Sequence, residues 1–411
     1  MSPLNVSVII PSFNRANYLS LALDSVLGQT YPVAEIIIVD DGSTDNTSEV
    51  VKQYTSRVRF FQQNHGGVSA ARNKGLELAR GEIIAWCDAD DVWEPMFLQR
   101  AVGLLENDPQ LDGVYAGVTH IDSDGHRLPQ DNRVTVPPEQ LYTALADDCF
   151  IQTTGFIMRQ RCFTHAGWFD TNFDISEDYD MFLRLAQNCR IVGLGEPLVQ
   201  YRVHHQNTVA NTAKWCESRL ALTRKHFGDP RENLSGLTTQ QRRAHAYAYR
   251  ATAIKCLQDN ADDQGWQYLR QGASIWPEIL SELSTAYELI CGNQAPGLRG
   301  DATRLNLSQR EVYMRGRLND LFRKAEAAVV AQQKNATSNT YLALAMLSDQ
   351  AANGSAARHY LFASLRAKPS LMCQTTVLRR LLKVLGGARI ITAWRKMRAG
   401  SSAALGIEHD E

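Results

Sequence analysis

The first third of the chain alternates short apolar runs with stretches in which apolar residues recur every three or four positions. That alternation predicts an α/β domain with a largely parallel sheet. Val6–Ile10 reads as a buried strand ending at Pro11-Ser12-Phe13-Asn14, and Leu19, Leu23 and Val26-Leu27 mark the helix after it. Glu35–Val39, Val58–Phe61 and Ile83–Cys87 read as three further strands. Gly42 loosens the turn after the second of these, where Ser43 and Asp45 are rival caps for the next helix. Gly67–Leu78 reads as a helix closed by Gly81. The polar clusters around Ser12, Asp41 and Asp88 thus all fall just beyond strand C-termini. In open α/β sheets that edge binds ligands.

From about residue 119 to 148 the pattern turns polar and Pro-bearing. Apolar character resumes at Ile151–Met158, Ser176–Gln187 has helical spacing, and 190–194 and 199–204 read as strands. Beyond residue 212 Ala, Leu, Gln and Arg recur at helical spacing with few β-branched runs, which predicts a separate all-α domain. The expected organisation is therefore a catalytic-type α/β domain over 1–211, a helical domain over 212–376 and a basic amphipathic segment with a tail over 377–411. Tyr268–Pro277 and Tyr360–Pro369 share a Tyr-Leu start and the same distance to Pro. Two such copies are compatible with a tetratricopeptide-type array and equally with an ordinary helical bundle.

Composition narrows the function classes. The chain has 411 residues, is 44% hydrophobic and carries a formal charge of -1, with a pI near 6.8. No global field for nucleic acid follows from that balance, so no nucleic-acid partner is expected. The eight cysteines form no CxxC or CxxH pair, which argues against a zinc module and a secreted disulfide framework and fits a reducing cytoplasm. No apolar run is long enough for a signal-peptide core or a membrane span.

Candidate chemistry centres on Trp86-Cys87-Asp88-Ala89-Asp90-Asp91, three carboxylates directly behind an apolar strand. Clustered acids beside a core are costly without compensation, and oxygen ligands select a hard cation such as Mg²⁺ or Mn²⁺ bridging to a phosphate. The plainer reading makes Asp90 or Asp91 a cap for the helix beginning near Pro95. Asp40-Asp41 ends a neighbouring strand and faces the same crevice, where Asp41 is placed to accept a hydrogen bond from a nucleobase or sugar hydroxyl, or to cap.

Taken together, VSVIIPSFNRANYL, IIIVDDGSTDNT, NHGGVSAARNKGLELARGEIIAWCDADD and SEDYD resemble the inverting family 2 glycosyltransferases of the GT-A fold. The resemblance covers about residues 4–207 and implies a Rossmann-like, mostly parallel domain. It implies that Pro11, Ser12, Phe13 and Arg15 line a nucleotide pocket and that Asp41 binds the base of a UDP-like donor. By the same correspondence Asp88 contacts ribose or metal, and Asp88-Ala89-Asp90 holds the donor with Asp90 as main ligand of Mn²⁺ or Mg²⁺. Arg72 is placed to contact the donor or acidic partners, or to form a helix-surface ion pair. In Ser176-Glu177-Asp178 the resemblance makes Asp178 the base that takes the acceptor hydroxyl's proton, with Glu177 an acceptor or positioning contact. Both acids also suit a helix N-terminus behind a Ser176 cap.

Strand alternation puts Arg202 and His204 on one face; relatives imply His204 in the metal shell and Arg202 near diphosphate charge. No Gln-x-x-Arg-Trp motif or membrane helix is found, so transfer of one sugar at a time is expected. The donor would be a nucleoside-diphosphate sugar and the acceptor a glycan or lipid-linked molecule of surface polysaccharide or glycoconjugate synthesis. A sugar nucleotidyltransferase would carry a Gly-rich loop where PSFNR stands. A non-catalytic nucleotide-sugar-binding domain tethering a helical module is opposed by the intact acids. The helical domain is left as a surface for a protein partner or self-association. The segments 377–385 and 390–398 mix apolar and basic residues without acids, which suits the inner face of a membrane or packing on the helical domain.

Overall fold

The computed structural model describes residues 3–205, 207 and 210–373. Two compact units are present, Met1–Lys255 with Ala295–Arg299, and Cys256–Gln294 with Gly300–Glu411, the latter described as far as residue 373. The basic segment expected at 377–411 lies outside the described residues. Among the described residues no helix is long and apolar enough to cross a membrane.

The first unit is built on one sheet whose strands are β1 (Val6–Ser12), β2 (Glu35–Asp40), β3 (Arg59–Gln62), β4 (Ile83–Trp86), β5 (Val92–Trp93), β6 (Gly113–Ile121), β7 (Arg127–Asn132), β8 (Phe156–Arg159) and β9 (Ile191–Arg202). The order is β3-β2-β1-β4-β8-β6-β9-β5, with β7 also paired to β6. The strands β1 to β4 are all parallel and joined through helices, as the alternating pattern predicts. Because β2 lies on one side of β1 and β4 on the other, the chain reverses direction there. The ends of β1 and β4 therefore flank a crevice.

The second half of the sheet is mixed: β8 is antiparallel to β4 and β6, while β6 and β9 are parallel. Residues 119–148, read as merely polar, contain the end of β6, the hairpin partner β7 and the helix Leu141–Asp147. The stretches 190–194 and 199–204 join as one strand, with the register against β6 shifting where Gly117 faces Pro197.

Side chains alternate across the sheet with period two. Val8, Ile10, Ile36 and Ile38 enter one core with Leu19, Leu23 and Val26 of the helix Ala16–Leu27 and with Phe97 and Leu98. Ile9, Ile37, Ile84 and Trp86 enter the other, with Ala71 and Leu76 of the helix Val68–Leu78 and with Phe182 and Leu183 of the helix Glu177–Ala186. Leu222, Phe227 and Ala244 belong to that second core. Hence the first unit runs on to Lys255, beyond the change of texture at residue 212, because the helix Thr212–Phe227 is needed to cover the sheet.

The second unit is helical. Its helices Gln333–Gln350 and Gly354–Ala367 form a hairpin in which Asn353 accepts the Ala356 N–H as N-cap. Small residues let the pair approach closely: the Ser364 hydroxyl donates to the Ser338 carbonyl at 2.9 Å and the Ser338 hydroxyl to the Ser364 carbonyl at 3.0 Å. The two similar segments noted above each lie in a 14-residue helix followed by a short 3-10 turn opened by Pro277 or Pro369.

Candidate active site

The loops after β1 and β2 are stapled to each other. Asn14 adopts a left-handed conformation (φ 53°), which Asn tolerates better than most residues, and its side-chain oxygen accepts the Thr44 N–H at 2.8 Å. The Asn14 N–H donates to the Ser43 hydroxyl at 2.8 Å, and Asp45 accepts N–H groups from Ala16 and Thr47, each at 3.0 Å. Asp45 thus serves the starts of two helices and holds PSFNR against DDGSTD. Asp40 is spent on the same turn, accepting from Ser43 and from Gln62 at 2.9 Å.

Asp41 is 1% exposed, yet it lines the crevice. Its carboxylate accepts the N–H groups of Gly66 (2.9 Å) and Gly67 (2.8 Å) and the Gln63 amide (2.7 Å), and pairs with His65 Nδ1 (2.8 Å). A carboxylate has about four acceptor positions, so this arrangement fixes the 63–67 loop. The same loop presents the His65 ring to Phe13, stacked at 4.3 Å between centroids.

The three acids behind β4 go separate ways. Asp88 accepts from Arg72 Nη2 at 2.9 Å, and Arg72 Nη1 donates to Glu177. Arg72 is buried, so the helix-surface ion pair is corrected: the guanidinium bridges the carboxylate after β4 to the one at the start of the helix Glu177–Ala186. Asp90 accepts from Arg15 Nε at 2.9 Å and pairs with His204 Nε2 at 3.0 Å. Burial works against the Asp90 charge, but His204 and Arg15 hold its carboxyl below the usual range. Asp91 caps nothing. It is 1% exposed and accepts the Arg202 N–H at 2.8 Å, while the helix Phe97–Asn107 starts at Met96 without a side-chain cap. Arg202 spends its guanidinium on the carbonyls of Asp90 (2.9 Å), Asp122 (3.1 Å) and Ser123 (3.2 Å), which leaves it a strap for the loop and not a wall of the crevice.

Glu177 and Asp178 open their helix after Ser176, whose own φ of 66° precludes the expected side-chain cap. Burial and the neighbouring Asp178 charge push the Glu177 carboxyl up to about 7, against the pull of Arg72. Asp178 is half-buried and accepts from the Thr153 hydroxyl at 3.1 Å.

A cavity of about 670 Å³ gathers these groups. Its walls include Pro11, Ser12, Phe13, Arg15, Asp41, Arg72, Asp88, Ala89, Asp90, Glu177 and Asp178; of the sequence-derived candidates Arg202 and His204 are not among the lining residues, and His204 pairs with Asp90. His65, Gly66, Gly67, Gln152, Thr153 and Asp174 also line it and escaped the sequence reading; only the Asn-His-Gly-Gly turn signal before a helix hinted at any of them. The Ser12 hydroxyl and Arg72 Nε are buried at this wall without a hydrogen-bond partner, as suits groups waiting for a polar ligand.

The donor set for a divalent cation is uneven. Asp90 and His204 stand together and offer oxygen and imidazole nitrogen, which fits Mn²⁺ or Mg²⁺ completed by diphosphate oxygens. Asp88 is drawn toward Arg72, and the three do not form a compact ligand group among the described residues.

The helix that carries Asp178 is anchored by Asp180, fully buried, which pairs with Arg184 (2.8 Å), Lys225 (2.6 Å) and His226 (2.8 Å). Burial alone would raise its carboxyl; His226, Lys225 and Arg184 instead hold it well below the ordinary range. A depressed carboxyl contributes stability above the unfolded pKa of about 3.9 and loses it as pH falls below that value. Asp180→Asn is accordingly expected to cost about 3 kcal/mol at pH 7. In thermal melts the gap between variant and wild type should close below about pH 4; a gap independent of pH would refute the ionic account.

Fold and cavity define an α/β protein with an acid-lined ligand crevice at the point where its parallel sheet reverses. The sequence profile described as Glycosyl transferase family 2 matches residues 7–167. An uncharacterized glycosyltransferase of Rickettsia typhi is 33% identical over 230 residues, 54% of this chain and 70% of the relative. The chain belongs to glycosyltransferase family 2 and is a glycosyltransferase. It is also 32% identical over 212 residues to a chondroitin synthase of Pasteurella multocida, spanning 49% of this chain and 21% of that one. A mannosyltransferase from Pyrobaculum calidifontis, solved with GDP-Man and Mn²⁺, aligns over 81% of this chain and 88% of its own at 19% identity and a TM-score of 0.48, too slight a likeness to bear on the assignment.

Proposed function

We propose that this glycosyltransferase moves a single sugar from a nucleoside-diphosphate donor, UDP-linked, to a hydroxyl of a glycan or lipid-linked acceptor, inverting the anomeric centre. The reading rests on one observation above all: the carboxylates after β4 and those at the start of the helix Glu177–Ala186 line one cavity and are tied together by Arg72. Donor and acceptor ends of a displacement are thereby brought within one enclosure.

In this reading the nucleotide lies along Pro11–Arg15, with its base beside Phe13 and His65 and its sugar directed toward Asp178. The Asp178 carboxylate takes the proton of the acceptor hydroxyl as that oxygen attacks the anomeric carbon. The bond from that carbon to the diphosphate oxygen breaks, and the nucleoside diphosphate leaves on the opposite face. Asp90 with His204 would hold Mn²⁺ or Mg²⁺, which when bound supplies Lewis-acid stabilisation of the leaving diphosphate. Arg72 and Arg15 add fixed positive charge on the same wall. The relative named as a chondroitin synthase supports a glycan as product; surface polysaccharide or glycoconjugate synthesis is the corresponding role.

The test is a panel of UDP- and GDP-sugars assayed for nucleoside-diphosphate release with Mn²⁺, Mg²⁺ or EDTA. Release confined to UDP-sugars and lost with EDTA is expected. Release from GDP-sugars alone would overturn the donor base, and undiminished release in EDTA would overturn the cation.

A further inference from the structure

The sheet's neighbouring strands β8, β6 and β9 bring three side chains together at the end remote from the cavity. Cys162 closes the turn after β8, Asp112 immediately precedes β6, and Cys189 lies just ahead of β9. Because β8 is antiparallel to β6 and β9 is parallel to it, the finish of one strand and the starts of the other two share an edge. The two sulfurs and a carboxylate oxygen of Asp112 all lie within 4.8 Å of one another, and neither thiol is in a disulfide.

We propose that Cys162, Cys189 and Asp112 form a site for a thiophilic divalent cation of the zinc class. Two thiolates and one carboxylate are a donor set for Zn²⁺, with a fourth position left to water. Bonds of about 2 Å in a tetrahedral arrangement put ligand atoms roughly 3.5 Å apart, within the observed spread. The carboxylate is already oriented: Asp112 accepts the Arg190 N–H at 3.0 Å and Arg161 Nη2 at 2.9 Å, the kind of outer support that ligating carboxylates have. Charge also closes, since the cation and Arg161 together balance two thiolates and Asp112. Cys162 is 3% exposed, whereas Cys189 and Asp112 are half-buried and leave a way in. The hydrogen bond the two thiols share lowers Cys189 and, with burial, raises Cys162, so a cation must displace the thiol protons to solvent on binding. A cation here would staple three adjacent strands, among them β9, whose other end leads to Arg202 and His204.

The experiment uses the full chain, stripped with chelator and titrated with Zn²⁺ and with Co²⁺ as a spectroscopic substitute. One equivalent giving thiolate-to-cobalt charge-transfer absorption is the expected result, whatever binds without that band at Asp90 and His204. Cys162→Ser and Cys189→Ser should lose that absorption and bind Zn²⁺ at least about tenfold more weakly at unchanged far-UV circular dichroism. Should Cys162→Ser not fold, Cys189→Ser, at the half-buried position, decides. An oxygen-only site at Asp90 gives no thiolate band, so the two cations are distinguishable. Absence of the band, its persistence in the serine variants, or isolation of a metal-free Cys162–Cys189 disulfide would each overturn the proposal.

Discussion

Asp178→Asn is expected to slow sugar transfer about 10²- to 10⁴-fold, the range for loss of a positioned general base, while UDP binds as it does to wild type. The substitution is close to isosteric. The amide oxygen of the new side chain can still accept from the Thr153 hydroxyl, so the helix start and cavity wall keep their shape. What disappears is the capacity to take a proton. Glu177 is a poor substitute, because it is 7% exposed and its carboxylate is already engaged by the Arg72 guanidinium. Glu177→Gln should therefore weaken acceptor binding or cavity order more than the chemical step. Comparing kcat with UDP affinity separates the two acids, and a D178N enzyme that transfers at the wild-type rate removes Asp178 from the base role.

The half of the sheet that positions the donor wall was legible because short continuous apolar runs and helical spacing alternate there, so the strand ends at Ser12, Asp41 and Asp88 could be placed on one edge. What those acids touch was not legible. Asp41, expected to accept from a nucleobase or sugar hydroxyl, lines the cavity and also accepts from the 63–67 loop, groups contributed by a different strand connection that spacing does not reveal. Asp91 was expected to cap a local helix, whereas its partner is the N–H of Arg202, far along the chain. Three adjacent carboxylates carry no information on direction until the backbone turns. The central strand β6 was overlooked because Gly113 and Gly117 dilute its apolar run; Gly117 is needed, since a Cβ there would meet the Asn132 carbonyl at 2.7 Å. The cysteine pair follows the same logic. Spacing in sequence shows only local ligand motifs, and Cys162 and Cys189 meet through the antiparallel turn of β8 against β6.

Replacement of Asp90 by alanine should lower transfer about 10³-fold, or roughly 4 kcal/mol, if its carboxylate is the principal anchor of the cation. Activity alone is a blunt measure, because Asp90 also organises Arg15 and His204, and alanine releases both. UDP affinity measured by calorimetry in Mn²⁺ and in EDTA is sharper. Wild type should bind more weakly on chelation; Asp90→Ala should bind equally in the two conditions. Asp90→Asn supplies the control, since its amide oxygen still accepts from Arg15 yet offers the cation no charge. Equal loss of metal-stimulated binding in the two variants assigns the effect to charge, and rescue by Asn assigns it to the Arg15 and His204 scaffold. Arg15 keeps its bonds to the Phe13 and Asn14 carbonyls in the alanine variant and so stays on the cavity wall, and a small residual rate that no longer responds to Mn²⁺ is expected. A D90A enzyme still stimulated by Mn²⁺ would place the cation elsewhere and reduce Asp90 to a clamp on two cationic side chains.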